Sequence, residues 1–298
     1  MGRRGPPAIS GFALVDKPIG MSSHDAVAVA RRRLSERAIG HTGTLDPLAS
    51  GLLVLVIGRA TRLARFVEAT EKRYLASVSL GRATTTFDAE GETSAEAPVP
   101  ALDPAAIESA LASLVGPLVQ QVPLYSAVKV GGERLYRRAR RGEVVEAPTR
   151  EVEIGALRLL GVDGPRLEVE ALVSRGTYIR ALAVQIGAAL GVPAHLAGLR
   201  RVAVGAHRVE DAVVPDALEA ARVRPLEAAV EHLEGLTLPA EAVVEVEHGR
   251  KLGPERVTGP RRVLRLVDAA GRLLAVAEAG EHEGNYGFDY HCVLVGRG

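Results

Sequence analysis

The sequence contains no tryptophan, and its 298 residues include only six tyrosines, four phenylalanines and one cysteine, Cys292. A single cysteine cannot form an internal disulfide or, by itself, a thiolate metal site, so we expect a protein of the reducing cytoplasm. Any stacking on a nucleic-acid base must fall to the few tyrosines and phenylalanines. HExxH, CxxC, GxxxxGKS and GxxxxGKT patterns are also absent. We therefore expect neither a metal nor a cofactor.

Long apolar runs are lacking too, and none approaches the roughly 20 residues that a membrane-spanning helix needs. Residues 1–8 contain two arginines followed by Gly-Pro-Pro, which is unlike the apolar core of a signal peptide. We therefore expect no membrane partner. We also expect a monomer whose residues 1–9 are disordered.

The charges nearly cancel, since the net charge is +1, which argues against a uniformly basic nucleic-acid binder. They are unevenly spread, however, because no basic residue lies between Arg82 and Lys129. The basic blocks elsewhere comprise Arg31, Arg32, Arg33, Arg59, Arg62, Arg65, Lys72, Arg73, Arg137, Arg138, Arg140 and Arg141. One face of the protein can thus be positive, although clustered arginines are also common on solvated helices.

Periodicity and turn residues predict strands alternating with helices. Gly11 to Asp16 predicts a strand, and Ser22 or Ser23 can cap a helix that begins near His24. Later predicted elements are a buried strand over Leu52–Ile57, a helical segment over Arg59–Glu68, a strand from Glu71 to Leu80, a helix from Pro104, hairpins at Gly131-Gly132 and Asp163-Gly164, a helix capped by Thr177 and running to Leu190, a strand from Leu199, and short helices over Asp216–Val223 and Pro225–Glu234.

The stretch GHTGTLDPLASGLL, residues 40–53, combines three glycines with a proline and leads into the buried strand at Leu52. Glycine permits backbone angles closed to other residues, and Pro47 fixes the chain just after Asp46. This loop predicts one carboxylate presented from a rigid support. By local chemistry alone, Asp46 could equally be a turn residue before proline.

The same stretch resembles the active-site motif of the TruB family, the tRNA pseudouridine-55 synthases. The resemblance implies that Asp46 is catalytic and that the protein isomerises a uridine of RNA from an N-glycoside to a C-glycoside. It also implies that His41 helps to hold the flipped nucleotide. The family fold is α/β, with a mixed, largely antiparallel central sheet flanked by helices, and the similarity covers about residues 11–236.

Further motifs support the resemblance. Lys17 begins a segment similar to the family's KPxGxSS motif and is expected in the active-site wall, and Tyr74, of the KRY motif, is expected to stack on the target base. Asp88 matches a loop of the pattern TDTxDxxG, whose first Asp is Thr85 here, and is expected to contact substrate. The same role is expected for Arg62, Tyr178 and Leu199.

Ser174 to Arg180 is similar to the family's third motif, SxxGTYIR. Arg180 would lie in the first turn of a helix, where a cation opposes the helix dipole and therefore needs an acidic partner. We expect that partner to be Asp46, because a nearby guanidinium favours the charged carboxylate. Asp46, Tyr74 and Arg180 are thus the predicted catalytic residues.

Residues 122–150 correspond to the insertion that clamps the tRNA T-arm in the family. Arginine forks match phosphate oxygens, so its basic helix also suits RNA on physical grounds. The predicted phosphate contacts are Arg134, Arg137, Arg138, Arg140 and Arg141.

Residues 237–298 are predicted to form a small PUA-like domain after the catalytic domain, residues 10–236. Short strands are expected over Val243–Glu247, Arg262–Val267 and Arg272–Ala277, with a hairpin turn at Asp268-Gly271. The tail from Asn285 onward departs from the family pattern and is assigned no role. Two alternatives remain at this point: an RNA-guided pseudouridine synthase, and a non-catalytic tRNA-binding protein or RNA chaperone that would not need Asp46.

Overall fold

The computed structural model describes residues 9–126, 128–141, 143, 145, 147–257, 259–282 and 285–295. The disorder expected over residues 1–9 concerns positions that, except for Ile9, lie outside this description. Within the described residues, no helix is both long and apolar enough to cross a membrane.

The first half of the chain alternates short helices with strands. Its elements are β1 (Gly11–Lys17), α1 (Ser23–Leu34), β2 (Ile39–Thr42), β3 (Ala49–Ile57), a 3₁₀ helix (Gly58–Leu63), α2 (Ala64–Glu68), β4 (Lys72–Leu80), β5 (Arg82–Thr84), β6 (Thr93–Glu96), α3 (Pro104–Ala112), β7 (Gly116–Gln121), β8 (Lys129–Val130), β9 (Glu133–Arg134) and α4 (Leu135–Arg140).

The second half supplies the remaining strands of the central sheet and a second sheet. Its elements are β10 (Thr149–Asp163), β11 (Arg166–Val173), α5 (Ile179–Ala189), β12 (Ala194–Val204), β13 (His207–Arg208), β14 (Glu234–Thr237), α6 (Ala240–Glu247), β15 (Arg262–Val267), β16 (Leu273–His282) and β17 (Asn285–Val293). Short 3₁₀ helices cover Val209–Asp211, Pro215–Ala217, Ala220–Arg222, Leu226–Val230 and Pro254–Arg256.

The central sheet has the strand order β1-β3-β12-β4-β11-β10-β7, with β2 beside β3 and β13 beside β12. Only the short β3–β12 pairing is parallel among these neighbours, so the sheet is mixed and largely antiparallel, as predicted. That pairing joins Ala49–Gly51 to Leu199–Arg201. It therefore brings the end of the glycine-rich loop against a strand that lies 150 residues later in the chain.

The unbroken apolar run of β3 is explained by two cores, one on each face of the sheet. Leu53, Leu55 and Ile57 pack in a core with α1 and α5, whereas Leu52 and Val54 pack in a second core. That second core also contains four residues of the C-terminal part, Val267, Leu273, Val276 and Leu294.

The C-terminal sheet has the order β14-β15-β16-β17 and forms a third core against α6. The strand predicted over Val243–Glu247 was wrong, since this segment belongs to α6. The helix follows Pro239 and buries Ala242 and Val246, four residues apart on one helical face. The tail that was assigned no role supplies β17, which pairs with β16.

The short helices predicted over Asp216–Val223 and Pro225–Glu234 are single 3₁₀ turns separated by extended residues. Tertiary hydrogen bonds explain the difference. Val213 donates to the Leu14 carbonyl, and Phe12 and Arg224 exchange backbone hydrogen bonds. The segment thus covers the free edge of β1, and this extended pairing competes with helix formation.

Candidate active site

A cleft of about 660 Å³ opens where the β2–β3 loop meets β4, β12 and the start of α5. Its lining combines the glycine-rich loop with residues from distant parts of the chain. Six predicted site residues line it: Asp46, Tyr74, Asp88, Tyr178, Arg180 and Leu199. Pockets of 300 to 1,000 Å³ are of the size that holds small ligands, so the cleft can hold a nucleotide.

The loop that carries Asp46 is fixed from beneath. The Ser23 hydroxyl donates to the Leu45 carbonyl and accepts from the Leu45 N–H at 2.8 Å, while the Leu45 side chain is buried. Ser22 forms a capping box with Asp25 at the start of α1. The two serines therefore divide the predicted roles: Ser22 caps the helix, and Ser23 ties the helix to the loop.

Lys17 lies behind the cleft wall, fully buried at the end of β1. Its ammonium donates to the carbonyls of Pro18, Met21 and Ala49. Burial lowers the pKa of Lys17, and the nearby Asp46 carboxylate opposes this shift. Three backbone carbonyls thus hold this cation, and Lys17 ties the connection between β1 and α1 to the start of β3.

Arg180 connects the loop acid to the rest of the cleft. Its Nη2 lies 3.1 Å from Asp46 Oδ2 and donates to the Tyr125 carbonyl at 3.0 Å. Its Nη1 lies 3.3 Å from Asp88 Oδ2 and donates to the Thr86 carbonyl. The Arg180 side chain is 8% exposed and that of Asp46 is 42% exposed, so the guanidinium is held inside while the carboxylate faces the cleft.

Asp88 is buried beside Arg180 and is fully engaged by the protein. Oδ1 accepts hydrogen bonds from the Thr86 hydroxyl and the Glu90 N–H, and Oδ2 contacts Arg180. A guanidinium between two carboxylates is held in place by charge-assisted hydrogen bonds. These contacts make Asp88 a support for Arg180.

The start of α5 sets the position of Arg180 in its first turn, as predicted. The predicted cap was wrong: Tyr178 occupies the cap position, and the Thr177 hydroxyl donates to the Ser174 carbonyl. The buried Gln120 side chain contacts the start of the helix, because its Oε1 accepts from the Tyr178 N–H at 2.9 Å. A long-range contact from β7 therefore positions Tyr178, whose own side chain makes no capping hydrogen bond.

Two buried cations in the cleft wall were not predicted as site residues. Arg201 donates through Nε to the Leu52 carbonyl and through Nη2 to the Gly43 carbonyl, and so spans both ends of the loop. Gly51 has φ near +103°, and a Cβ there would lie 2.2 Å from the Arg201 carbonyl oxygen. Glycine is therefore required at this crossing. The sequence places Arg201 in the strand predicted from Leu199, but nothing local indicates that its side chain turns inward.

Lys72 is the second of these cations. Its ammonium donates to the carbonyls of Glu68 and Thr70. Burial, together with the neighbouring Arg201 and against the opposing effect of Glu68, lowers the pKa of Lys72 to about 8. The KRY motif contains this lysine, so its sequence signal was present but its burial was not apparent.

Other predicted residues lie away from the cleft. His41 is partly buried in β2, where its ring meets the His24 ring edge-on at 5.6 Å, and burial lowers its pKa. Arg62 donates to the Val293 carbonyl at 2.6 Å and so contacts the C-terminal sheet. Neither residue lines the cleft.

The insertion arginines differ from one another in their surroundings. Arg141 pairs with both Glu133 and Glu143, Arg138 pairs with Glu143, and Arg137 is exposed. The side chains of Arg134 and Arg140 lie outside the described part of the structure. The hairpin predicted at Gly131-Gly132 is confirmed by β8 and β9.

Comparison with known proteins identifies relatives along nearly the whole chain. The model of the TruB family pseudouridylate synthase N-terminal domain matches residues 31–179, and that of the tRNA pseudouridylate synthase B C-terminal domain matches residues 180–245. The tRNA pseudouridine synthase B of Xanthomonas campestris pv. campestris (strain B100) is 44% identical over 284 residues, which cover 89% of this chain and 92% of the relative. That of Thermobifida fusca (strain YX) is 45% identical over 278 residues, covering 90% and 94%.

Solved structures show the same fold. The archaeal box H/ACA sRNP Nop10–Cbf5 complex contains a chain that matches with a TM-score of 0.74 and 26% identity, over 97% of this chain and 87% of that chain. A Cbf5–Nop10–Gar1 complex gives a TM-score of 0.75 at 26% identity, over 96% and 85%. Two adjoining family models cover residues 31–245, and both of the tRNA pseudouridine synthases B above are more than 40% identical to this chain. The chain therefore belongs to the TruB family of pseudouridylate synthases, which are isomerases.

Proposed function

We propose that this protein isomerises uridine 55 in the T-loop of tRNA to pseudouridine, with Asp46 as the catalytic residue. The observation that carries the proposal is the half-exposed Asp46 carboxylate, held in the cleft 3.1 Å from the buried Arg180 guanidinium. The relatives named tRNA pseudouridine synthase B support tRNA as the substrate. Position 55 follows from the family resemblance of the loop motif.

The reaction breaks the bond between C1′ of ribose and N1 of uracil and forms a bond from C1′ to C5. The proton on C5 leaves at the end and N1 takes up a proton, so that substrate and product are isomers. Asp46 can serve as a nucleophile towards the base or the sugar, or as a base towards the sugar C2′ proton. Each of these roles needs a carboxylate oxygen directed towards the nucleotide, and the contact with Arg180 holds the Asp46 carboxylate in one orientation.

The target nucleotide must leave its stack to reach Asp46, at a cost of a few kcal/mol. Tyr74 and Leu199 line the cleft and can receive the base, since an aromatic stack is worth about 1 to 3 kcal/mol. In our proposal Arg180 orients Asp46, and Asp88 acts through Arg180 as a positioning residue. The insertion arginines, of which Arg137 is exposed, contact T-arm phosphates.

A stand-alone tRNA enzyme is favoured over an RNA-guided one by the degree of similarity. The tRNA pseudouridine synthases B above are 44% and 45% identical to this chain, whereas the Cbf5 chains are 26% identical. The proposal therefore assigns tRNA as the partner without a guide RNA.

Tritium release from a T-arm stem-loop RNA labelled at C5 of uridine tests the proposal. We expect release with the wild-type protein and none above background with Asp46→Asn, while both bind the RNA with similar Kd. Asp163→Asn, at an exposed turn between β10 and β11, is the matched control and should keep full activity. Turnover by Asp46→Asn would refute the catalytic role. Absence of wild-type release on several uridine-containing RNAs would leave a tRNA-binding protein.

A further inference from the structure

A second concavity adjoins the cleft, in a gap that the central sheet leaves beside β10. One edge of β10 pairs with β7 along Thr149–Ile154, but the other edge pairs with β11 only from Ile154 onward. Beyond Ser174, which still bonds to Glu153, the chain turns away, so residues 149–152 of β10 have an open edge. The β10 notch, as we name this gap, is lined by Arg150, Glu151, Ser174, Arg175 and Gly176, among others.

Backbone donors point into the β10 notch. The Ser174 N–H donates to the Glu153 carbonyl, and the Glu153 N–H donates to the Ser174 hydroxyl, each at 2.9 Å. Glu153 therefore directs its backbone groups towards the notch and away from Pro117, its partner in β7. Because these directions alternate along an antiparallel strand, the N–H of Glu151 also faces the notch.

Two arginines supply positive charge there. Arg150 lines both the cleft and the notch, donates to the Gly176 carbonyl at 3.3 Å, and lies 5.9 Å from the centre of the Tyr178 ring. Arg175 is exposed on the opposite wall. Neither arginine forms an ion pair with another residue in the part of the chain that the structure describes.

The acidic residues of the notch do not neutralise Arg150. Side chains alternate along a strand, so Arg150 shares its face with the buried Val152 and Ile154, and Glu151 and Glu153 point to the other face. The turn at Gly176 keeps room for Arg150, since Gly176 has φ near +82° and a Cβ there would lie 2.7 Å from Arg150 Nη1.

We propose that the β10 notch binds one phosphodiester of the RNA next to the flipped uridine. This inference rests on the proposed function and adds a contact that positions the RNA backbone. When a nucleotide is bound in the cleft, the RNA backbone on either side of it must pass through the mouth of the cleft. Arg150 forms the wall between the cleft and the notch. Arginine forks and a backbone N–H are the donors that bind phosphate oxygens in nucleic-acid complexes.

The test combines protein and RNA changes in one binding cycle. A T-arm stem-loop RNA is made with a neutral methylphosphonate at each single phosphate near the target uridine. We expect Arg150→Gln to raise Kd for unmodified RNA about tenfold, as loss of a charge-assisted contact does. When the methylphosphonate replaces the phosphate that binds in the notch, Arg150→Gln should cause no further loss of RNA affinity. Arg175→Gln should show the same non-additivity at that position.

Arg158→Gln is the matched control, because Arg158 lies on the same strand, is 71% exposed and is outside the notch. Arg150→Lys should retain the salt dependence of binding, whereas Arg150→Gln should lower its log–log slope by about 0.7 to 1. Equal losses for Arg150→Gln and Arg158→Gln, or additive losses at every phosphate, would overturn the notch proposal. Because the cycle measures Kd alone, its failure is distinguishable from failure of the catalytic proposal, which is read as tritium release.

Discussion

At the scale of single residues, Arg180 joins the parts of the cleft that come from distant segments of the chain. It contacts two carboxylates and two backbone carbonyls, and those groups come from the loop of Asp46, the Thr86–Asp88 segment and Tyr125. The side chain is buried, so its charge is compensated by these contacts rather than by water. Loss of any one of these contacts should therefore move the guanidinium and, with it, the Asp46 carboxylate.

Asp88→Asn tests this coupling. The substitution keeps the shape of the side chain but removes its charge, and breaking a buried ion pair costs about 3 to 5 kcal/mol. We expect the single-turnover rate at saturating RNA to fall more than about tenfold, which corresponds to a loss of about 1.4 kcal/mol in the transition state. Kd for RNA should stay the same, because Asp88 is buried.

Glu92→Gln, on the exposed part of the same segment, is the control for Asp88→Asn and should keep the wild-type rate. A full single-turnover rate for Asp88→Asn would show that Arg180 needs only Asp46 as its acidic partner.

Lys72 makes the free energy of unfolding depend on pH in the alkaline range. Its pKa is about 8 in the folded protein and 10.5 without the effect of burial. Between these two values the unfolded chain binds more protons than the folded one, so the free energy of unfolding rises with pH. The rise attributable to Lys72 is about 3 kcal/mol over the whole window.

Urea unfolding of wild type and Lys72→Met from pH 7 upward isolates this effect, because the other titrating groups are shared. The difference in unfolding free energy, wild type minus variant, should be constant below pH 8 and increase above it. Parallel curves across the alkaline range would mean that Lys72 is charged and well solvated in the folded state.

At the scale of elements, the insertion arginines are not equivalent. Glu133 and Glu143 bind the Arg141 guanidinium, and the hydrogen bonds that Arg141 donates to these carboxylates raise its pKa. Arg137, on the helix α4, is exposed. An arginine already paired within the hairpin and helix gains less from an RNA phosphate than a solvated one, because it must give up its carboxylates.

We therefore expect Arg137→Gln to lower the log–log salt slope of RNA binding by about one unit. Arg141→Gln, its matched partner variant, should lower the slope less. The measurement is Kd for a T-arm stem-loop RNA over a range of salt concentrations. If the two variants lower the slope equally, RNA binding breaks the ion pairs of Arg141.

At the scale of the whole molecule, the C-terminal sheet and the catalytic part share apolar contacts. Leu294 is buried in the core that also contains Phe12 and Leu63, and Arg59 donates to its carbonyl. The predicted division at residue 236 stays a prediction, and the shared core argues that the two parts unfold together.

Leu294→Ala should leave a cavity and cost about 2 to 5 kcal/mol of unfolding free energy. Because the core is shared, we expect one cooperative transition, shifted as a whole, in urea unfolding followed by circular dichroism. Val244→Ala, at an exposed position of α6, should change the stability little. A separate transition of the catalytic part at its wild-type midpoint would instead support two independent modules.

Local features, which depend only on residues close together in the chain, could be predicted from the sequence alone. The capping box of Ser22 and Asp25, the hairpin turn at Asp163-Gly164 and the loop around Asp46 involve residues within a few positions of each other. Their backbone preferences are local, so they could be predicted directly. The pairing of Arg180 with Asp46 was also predicted, because the family motif and the helix dipole both indicated an acidic partner.

Features that join distant segments of the chain became apparent only in the tertiary structure. Arg201 reaches Gly43 and Leu52 because β12 pairs with the start of β3, and Gln120 binds the Tyr178 N–H at the start of α5 because β7 passes beside it. The segment of α6 forms a helix despite the strand propensity of its β-branched residues, because one face of the helix buries apolar area against β16. Strand pairing and burial over such separations are not encoded in any short window of sequence, since their free energy arises only when the segments meet.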